Sequence, residues 1–399
     1  MASVRQQELK EKRDEKLMNK RRRNILILMI EVVLMLLLAI TCYGVTVLNS
    51  YRYDELDKEI YKETRPSTQQ ETRMVTSVVE VTNEVGETET SVTEIPIETE
   101  LSGYHNILIL GIDSRTMDFE ETDGINSDVI IIASMNNDTG EIKLVSVLRD
   151  TIMKFENGSR KSYNKATEQF YEGVPEMVSM INRNLGLDID EYMLVNWYGV
   201  AVCINQMEGV TVNIPNYEMI PYFNSYLDKT NQATGIWAPE IYEPGTYNMS
   251  GTQAVAYCRI RYLGINDTGR AEHQREVISQ LVNKAKDWAK AGRLSDLIGV
   301  AQTGLSNVRT NLTLPDIMIL LTKLSDFNMA GTEQFPKEYT TGHYLGHYPG
   351  KYDVVDPIVA NDFQQEVRDL HKFLFNEDYE PSDFIKNISY QMYLDRTGQ

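Results

Sequence analysis

The sequence predicts an α/β protein: an α-β-α sandwich around a central mixed sheet, preceded by one N-terminal transmembrane helix. Three observations lead to this fold class. The 399 residues are 42% hydrophobic, which is enough for a sizeable core. Short apolar runs of strand length alternate with segments of helical periodicity after residue 104. A long apolar stretch at residues 25–48 contains a single charged residue.

The N-terminus predicts a membrane anchor. Residues 1–23 contain nine Lys or Arg and four Asp or Glu, and the stretch at 25–48 is long enough to span a hydrocarbon core of about 30 Å. Because basic residues beside a span favour the cytoplasm, we expect a cytoplasmic tail at 1–24 and an extracellular remainder. A cleaved signal peptide would have a shorter apolar region and a small-residue cleavage site, for which the sequence has no convincing match.

Residues 49–101 predict an extracellular acidic, Thr-rich stalk. Between residues 52 and 100 there are 13 Asp or Glu, five Lys or Arg and nine Thr, with few large apolar side chains. Such a composition buries little surface, so we expect an extended segment. The alternation in MVTSVVEVT, residues 74–82, allows one strand within it.

The predicted strands and helices of the folded region follow in order. Strands are expected in HNILILGID (105–113), DVIIIASMN (128–136), EIKLVSVLRD (141–150), YMLVN (192–196) and GVTVNIP (209–215). Helices are expected in VPEMVSMINRNLG (174–186), YGVAVCINQM (198–207) and from about 272 to 289. SGTQAVAYCRIR (250–261) should join a short helix to a strand. We assign 102–311 to the main domain and 312–399 to a C-terminal extension that packs on or follows it, with helices at 314–324 and 363–375.

Charged residues at strand ends predict a cation site. Asp113 and Arg115 follow the first predicted strand, Asp128 opens the second, and Arg149 closes the third. Strand ends are where α/β sheets place ligand-binding groups. Mg²⁺ typically takes one or two carboxylates and completes its shell with water and phosphate oxygens. Asp113 and Asp128 could therefore reach one hard cation.

Arginines cluster in a chain whose formal net charge is -19. Arg259 and Arg261 alternate by two and would share one face of a strand. Arg270 is expected in the loop before the long helix, with Gln274 one helical turn further along the same face. Guanidinium groups near a helix N-terminus suit a phosphate or pyrophosphate. The alternative is a network of Arg–carboxylate pairs on a solvated face. The overall acidity argues against nucleic acid as a partner.

Seven motifs, read in order between residues 106 and 286, resemble the LytR-CpsA-Psr family. They are LGIDSR, NSDVIIIASMN, VSVLRDT, YNKA, EGVTVNIP, MSGTQAVAYCRIR and DTGRAEHQ. The resemblance implies a membrane-anchored enzyme outside a Gram-positive cell, with an apolar pocket for a polyprenyl-phosphate lipid. It also implies phosphotransferase activity that moves an anionic glycopolymer, such as teichoic acid or capsule, from undecaprenyl pyrophosphate to a muramic acid hydroxyl of peptidoglycan, with Mg²⁺.

The resemblance assigns roles to individual residues. The metal-binding aspartates of the family match Asp113 and Asp128. Catalytic roles are expected for Arg149, Asp113 and Arg261. Pyrophosphate binding is expected from Arg115, Arg149, Arg259, Arg261, Arg270 and Gln274. The chain departs from the family pattern at Asn126 and His273, where arginine is usual, and also at Leu148 and Glu208. Two alternatives stay open: a hydrolase of the polyprenyl-pyrophosphate glycan, and a non-catalytic regulator that binds polyprenyl lipid or cell wall.

Overall fold

The structure is a computed structural model that describes residues 73–82, 88–97, 103–112, 126–155, 163–261, 267–341 and 356–397. The predicted cytoplasmic tail, the predicted transmembrane helix at 25–48, and Asp113 and Arg115 lie outside these residues. Within the described part of the chain, no helix is both long enough and apolar enough to cross a membrane.

Strands and helices alternate along most of the described chain. The strands are β1 (Arg73–Thr82), β2 (Thr88–Ile97), β3 (Tyr104–Ile112), β4 (Ser127–Asn136), β5 (Glu141–Val147), β6 (Ile152–Lys154), β7 (Tyr163–Lys165), β8 (Glu191–Asn196), β9 (Val210–Ile214), β10 (Gly245–Met249), β11 (Val308–Thr310), β12 (Asn328–Phe335), β13 (Tyr339–Thr341) and β14 (Ile358–Ala360). The helices are α1 (Val174–Leu185), α2 (Trp197–Gln206), α3 (Ile220–Thr234), α4 (Gly251–Tyr257), α5 (Asp267–Lys290), α6 (Leu294–Ser306), α7 (Leu314–Lys323), α8 (Phe363–Phe375) and α9 (Asp383–Thr397), and a 3-10 helix spans Ala166–Glu172.

The central sheet is mixed, as predicted. Among the described residues it has the strand order β11-β8-β3-β4-β5-β12. The pairs β3–β8 and β5–β12 are parallel, whereas β3–β4, β4–β5 and β8–β11 are antiparallel. β12 belongs to the predicted C-terminal extension, so that segment supplies an edge strand that the sequence had not assigned to the sheet.

Helices cover both faces of this sheet, which confirms the sandwich. Successive side chains of a strand point to opposite faces. Leu108 and Leu110 of β3 pack in one core with buried residues of α1, α8 and α9. Ile107, from the same strand, packs on the other face against a cluster that includes Ile278 of α5 and Leu320 of α7.

A smaller core lies beside the sandwich, formed by α2, α3, α4 and the antiparallel pair β9–β10. Asn196 caps α2, since its side chain accepts a hydrogen bond from the Gly199 amide at 2.8 Å. Ser250 and Gln253 form a capping box at the start of α4. These caps fix α4, which leads directly into the arginine-bearing segment.

Two predicted features around the arginines are wrong. The residues after α4 do not form a strand, because the amides of Cys258 and Arg259 still bond back to Ala254 and Ala256, at 3.0 and 3.1 Å. Arg259 and Arg261 therefore do not share one strand face. The long helix α5 also begins at Asp267, earlier than predicted, so Arg270 lies in its first turn rather than in a loop.

The predicted stalk contains a hairpin. β1 and β2 pair in antiparallel fashion, with Arg73 opposite Ile97 and Thr82 opposite Thr88. The strand expected in residues 74–82 is present, and its partner β2 was not predicted.

Candidate active site

Charged side chains from five parts of the chain meet at one edge of the sheet. Ile112, the last residue of β3, pairs with Ser127 at the start of β4. Because β4 and β5 are antiparallel, the end of β5 lies at the same edge. The charge cluster consists of Asp128, Arg149, Asp150, Lys165, Arg261, Asp267 and Arg270.

Arg149 lies at the centre of the charge cluster. Its Nη1 is 2.5 Å from Asp128 Oδ1, and its Nε is 3.5 Å from Asp150 Oδ2 and 3.9 Å from Asp267 Oδ1. Burial lowers the pKa of Arg149, but the attraction of Asp128, Asp150 and Asp267 outweighs burial and raises this pKa above its ordinary value. Arg149 therefore carries a permanent positive charge within the site.

Arg270 is the most deeply buried cation in the cluster, with 5% of its surface exposed. Its Nη2 is 2.9 Å from Asp267 Oδ1 and its Nη1 is 3.8 Å from Asp128 Oδ2. The guanidinium therefore joins the first turn of α5 to the start of β4. Burial and the neighbouring Asp150 raise the pKa of Asp267, although Arg261 and Arg149 act in the opposite direction.

Two further cations complete the cluster. Arg261 Nη2 lies 3.4 Å from Asp267 Oδ1, and Lys165 Nζ lies 3.0 Å from Asp150 Oδ1. The cluster thus holds four cations and three carboxylates, a net charge of +1 in a chain of net charge -19. An anionic ligand would meet a local excess of positive charge at this edge.

Three buried polar atoms of the cluster make no hydrogen bond with described residues: Arg149 Nε, Arg270 Nε and Asp267 Oδ1. Oppositely charged atoms lie 3.5 and 3.9 Å from Arg149 Nε and 2.9 Å from Asp267 Oδ1, but these contacts lack hydrogen-bond geometry. Buried polar atoms in folded proteins are nearly always hydrogen-bonded. The two Nε–H groups are therefore donors suited to an additional, negatively charged ligand.

Arg259 and Gln274 have different surroundings from the cluster. The Arg259 guanidinium lies 3.3 Å from the ring centre of Trp197 and donates to Thr230 Oγ1 at 2.8 Å. Gln274 Nε2 donates to the Cys258 carbonyl at 3.3 Å. These contacts hold Arg259 and Cys258 directly after α4, and a role for Arg259 or Gln274 in pyrophosphate binding stays a prediction.

Asn126 and His273, the two positions where arginine is usual in the family, add no charge to the cluster. His273 stacks on Tyr257 at 4.0 Å between ring centres, and its Nδ1 is 3.3 Å from the Tyr257 carbonyl. Burial lowers the pKa of His273, so the ring is neutral at pH 7. Asn126 precedes β4 with its side-chain oxygen buried and without a hydrogen bond to described residues.

The carboxylates present are of the type that Mg²⁺ prefers. Asp128 offers hard oxygen donors, although its Oδ1 now faces Arg149 and its Oδ2 faces Arg270. Within the described ranges, no group of three or more His, Cys, Asp or Glu side chains is arranged to hold a metal ion. Asp113, the second predicted ligand, lies outside those ranges. A single carboxylate with water and phosphate oxygens still fits magnesium.

An apolar face accompanies the cluster along α5. Val129, Ile109 and Met193 lie on inner strands of the sheet, yet they are only partly buried. On α5, Ile278 and Val282 face the same region and are also partly buried. Val282 is about 18 Å along the helix from Arg270, at 1.5 Å per residue. A long apolar group could therefore lie between the sheet and α5 with its polar end at the cluster.

Sequence reasoning missed three members of the cluster as site residues. Asp150 and Asp267 flank predicted arginines, in LRD and NDTGR, and Lys165 lies in the YNKA motif. Asp267 could have been found if the helix had been started at the acidic residue, since carboxylates favour helix N-termini. Lys165 could not have been predicted, because it lies next to Asp150 only through the pairing of β6 with β7.

The fold and the site together define an α-β-α sandwich with an arginine–aspartate cluster at one edge of its mixed sheet. The model of the LytR_cpsA_psr family matches residues 68–356. The chain belongs to the LytR-CpsA-Psr family.

Two curated relatives are informative. The polyisoprenyl-teichoic acid–peptidoglycan teichoic acid transferase TagU of Oceanobacillus iheyensis is 28% identical over 250 residues, which cover 61% of this chain and 67% of that protein. Biofilm regulatory protein A of Streptococcus mutans is 25% identical over 222 residues, 52% of this chain and 50% of that protein. The matched region thus spans half to two thirds of these relatives.

The solved structure of Bacillus subtilis TagV has the same fold. It matches with a TM-score of 0.53 and 20% identity, over 70% of this chain and all of that chain. This agreement supports the sandwich architecture independently of the sequence motifs.

Proposed function

We propose that the protein is a phosphotransferase that moves an anionic glycopolymer from undecaprenyl pyrophosphate to a muramic acid hydroxyl of peptidoglycan. The observation that carries this proposal is the charge cluster, in which the buried Nε–H groups of Arg149 and Arg270 make no hydrogen bond with the residues that the structure describes. The name of the TagU relative supports a transferase that acts between a polyisoprenyl-linked teichoic acid and peptidoglycan.

The proposed reaction is a single displacement at phosphorus. The acceptor hydroxyl oxygen forms a bond to the phosphorus that carries the glycopolymer, and the bond from that phosphorus to the bridging oxygen breaks. The lipid leaves as polyprenyl phosphate. Arg149, Arg270, Arg261 and Lys165 neutralise the charge of the pyrophosphate and of the leaving group, which is the main task of a protein in phosphoryl transfer. Asp113 is our candidate to accept the hydroxyl proton.

Magnesium is part of the proposal. Asp128 and Asp113 would hold it, and when bound it would supply further neutralisation of the phosphate oxygens. Its binding requires Asp128 to share its oxygens between the ion and the two arginines that now contact them. Removal of the metal should therefore lower turnover while Arg149 and Arg270 still pair with Asp128.

The apolar face along α5 suits the polyprenyl chain of the donor. Partly buried side chains on inner strands leave apolar surface that a lipid would cover, with a gain of about 25 cal/mol for each Å² removed from water. We also propose that residues 25–48 anchor the chain in the cell membrane with the catalytic domain outside. The anchor would hold the site beside the bilayer from which the lipid-linked donor comes.

A transfer assay on the full chain in detergent tests the proposal. It uses a polyprenyl-pyrophosphate-linked glycan, peptidoglycan oligomers and Mg²⁺, with Arg149→Ala and Asp113→Ala as test variants. The control is Arg293→Ala, which removes an exposed cation bound to Glu208 and Asp296. We expect metal-dependent attachment of glycan to peptidoglycan by wild type and Arg293→Ala, and its loss in both test variants.

Two other outcomes would contradict the transferase. Release of free glycan phosphate without attachment would mean a hydrolase. Tight lipid binding without turnover would mean a binding protein, a role in keeping with the regulatory name of the Streptococcus mutans relative.

A further inference from the structure

Three aromatic side chains stand out from the surface around α3. Tyr217 precedes the helix and is 63% exposed, while Trp237 and Tyr242 follow it and are each 72% exposed. We call these three residues the aromatic platform. Large aromatic side chains are usually buried, and exposed ones grouped on one segment commonly mark an interaction site.

The backbone between Trp237 and Tyr242 is held by three polar side chains. Asn224 of α3 bonds the Ile241 amide and carbonyl at 3.0 and 2.8 Å, and Asn231 bonds those of Ala238 at 3.0 and 3.2 Å. Gln253 of α4 donates to the Pro239 carbonyl at 2.8 Å. Ile241 and Ala238 thus face the small core, whereas Trp237 and Tyr242 point outward. These contacts fix the backbone of residues 238–241, so this backbone loses little conformational entropy when a ligand covers the exposed rings.

Carboxylates contact the two tyrosines of the platform. Glu243 accepts a hydrogen bond from the Tyr217 hydroxyl, and Glu240 accepts one from the Tyr242 hydroxyl at 2.9 Å. Residues 216–244 contain four Asp or Glu and one Lys. This acidic surface repels an anionic glycopolymer and also anionic lipid headgroups. It suits a ligand without net charge that has apolar ring faces and many hydroxyl or amide donors. A glycan strand has both properties.

We propose that the aromatic platform binds the glycan strand of the peptidoglycan acceptor, which rests on the proposed transferase function. Sugar rings stack on Trp237 and Tyr242, and their hydroxyl and amide groups donate to Glu240 and Glu243. The helix α3 also contacts the chain next to the charge cluster. Thr230 of α3 accepts a hydrogen bond from Arg259, which lies two residues before Arg261. The platform and the charge cluster would thus hold acceptor and donor on two sides of one short segment.

The first test measures binding by the full chain in detergent. The probe is a hexamer of β-1,4-linked N-acetylglucosamine, followed through tryptophan fluorescence. Trp288 is buried with Arg293 stacked on its ring, and Trp197 has Arg259 stacked on it, so Trp237 is the ring that a surface ligand should shield. We expect a blue shift and protection from acrylamide quenching that are absent in Trp237→Ala.

Affinity for the hexamer, measured by calorimetry, should fall roughly 3- to 10-fold in Trp237→Ala and in Tyr242→Ala. The matched control is Tyr390→Ala, which removes an exposed tyrosine of α9 outside the platform and should leave affinity unchanged. Unchanged binding in the two platform variants, or no hexamer binding by wild type, would overturn the proposal. So would platform-dependent binding to poly(glycerol phosphate) or to phosphatidylglycerol vesicles instead of the hexamer.

The transfer assay separates failure of this inference from failure of the proposed function. If Trp237→Ala and Tyr242→Ala transfer glycan with an unchanged acceptor KM, the platform is wrong and the transferase stands. A raised acceptor KM with unchanged kcat supports the platform. If wild type transfers nothing but hexamer binding still depends on Trp237, the platform stands as a glycan site and the transferase is wrong.

Discussion

At the residue scale, the charge cluster depends on Arg270, a cation whose geometry lysine cannot reproduce. Arg270 contacts Asp267 and Asp128 through different nitrogens of one planar group. A lysine ammonium is a point charge and can approach only one of these carboxylates closely. Arg270 therefore both supplies charge and links α5 to the start of β4 at the site.

We predict that Arg270→Ala lowers kcat/KM for transfer about 100-fold or more, in line with the loss of one preorganised donor to a developing charge. Arg270→Lys should be intermediate, because it retains the charge but loses one contact. The measurement is transfer kinetics for both variants beside Arg293→Ala. Equal activity of Arg270→Lys and wild type would show that charge alone suffices.

Two partly exposed cysteines give a pH-dependent prediction. Burial raises the pKa of Cys203 to about 11 and that of Cys258 to about 12, the latter with help from Glu276, and both are free thiols. At pH 8 only about one Cys203 side chain in a thousand is a thiolate, the form that reacts. In a Cys42→Ser background, iodoacetamide should label the native chain slowly at pH 8. Labelling should accelerate about tenfold for each pH unit up to 10, and unfolding in urea should make it rapid at once. Fast labelling of the native chain at pH 8 would contradict this account.

At the element scale, α4 positions the arginine-bearing segment through close contact with α2. A Cβ atom at Gly251 would lie 1.8 Å from the Ala201 carbonyl oxygen, so the two helices touch backbone to backbone. Only glycine permits this approach. The contact positions the start of α4, the helix that leads into Arg259 and Arg261.

Gly251→Ala should destabilise the fold by about 1–3 kcal/mol or more, because backbone rather than a flexible side chain must move. Gly299→Ala is the control, since a Cβ there meets nothing within 4 Å. That helical glycine lies in α6, and alanine should stabilise it by about 0.5–1 kcal/mol. Urea unfolding of both variants checks the pair. A Gly251→Ala variant as stable as wild type would show that α2 and α4 can separate at little cost.

Elements with strong apolar patterns could be predicted from the sequence, and those shaped by tertiary contacts could not. β3, β4, β5 and α1 follow continuous apolar runs or helical periodicity and were located to within a few residues. The helix α3 was missed because its sequence IPYFNSYLDKTNQAT is largely polar and buries only one stripe, including Phe223 and Leu227. α9 was missed as well, and CRIR was misread because its alternation imitates a strand.

The residues of the site, too, could be predicted only in part from the sequence. Asp128, Arg149, Arg261 and Arg270 were predicted and do converge. Arg259 was grouped with Arg261 on spacing, but its side chain turns to Trp197 and Thr230. A local pattern cannot specify which way a turn directs a side chain, because the turn depends on the packing of α4 against α2 and α3.

At the scale of the whole molecule, the C-terminal segment is part of the main core. β12 pairs with β5 from Asn328 to Phe335. On one face of the sheet, α8 and α9 bury residues of the same cluster as β3, among them Phe363, Leu370 and Ile388. The sheet and its covering helices therefore close only when residues beyond 311 are present.

A chain that ends at residue 311 should fail to fold. The truncation uncovers one edge of β5 and the apolar face beneath α8 and α9, which exposes many fully buried side chains to water. We expect loss of cooperative urea unfolding by circular dichroism, compared with the full chain prepared in the same way. A truncated chain with an unchanged unfolding midpoint would show that 102–311 is an independent domain.

The central claim is that the charge cluster attaches a glycopolymer to peptidoglycan through a phosphodiester. The most direct measurement is mass spectrometry of muramidase-digested peptidoglycan after reaction with the full chain, the lipid-linked glycan and Mg²⁺. We predict muramic acid fragments that carry the glycan through one phosphate, formed by wild type and Arg293→Ala but not by Arg149→Ala. Two results would contradict the claim. One is unmodified muramic acid fragments together with free glycan phosphate, and the other is unmodified fragments with the intact donor still bound to the protein.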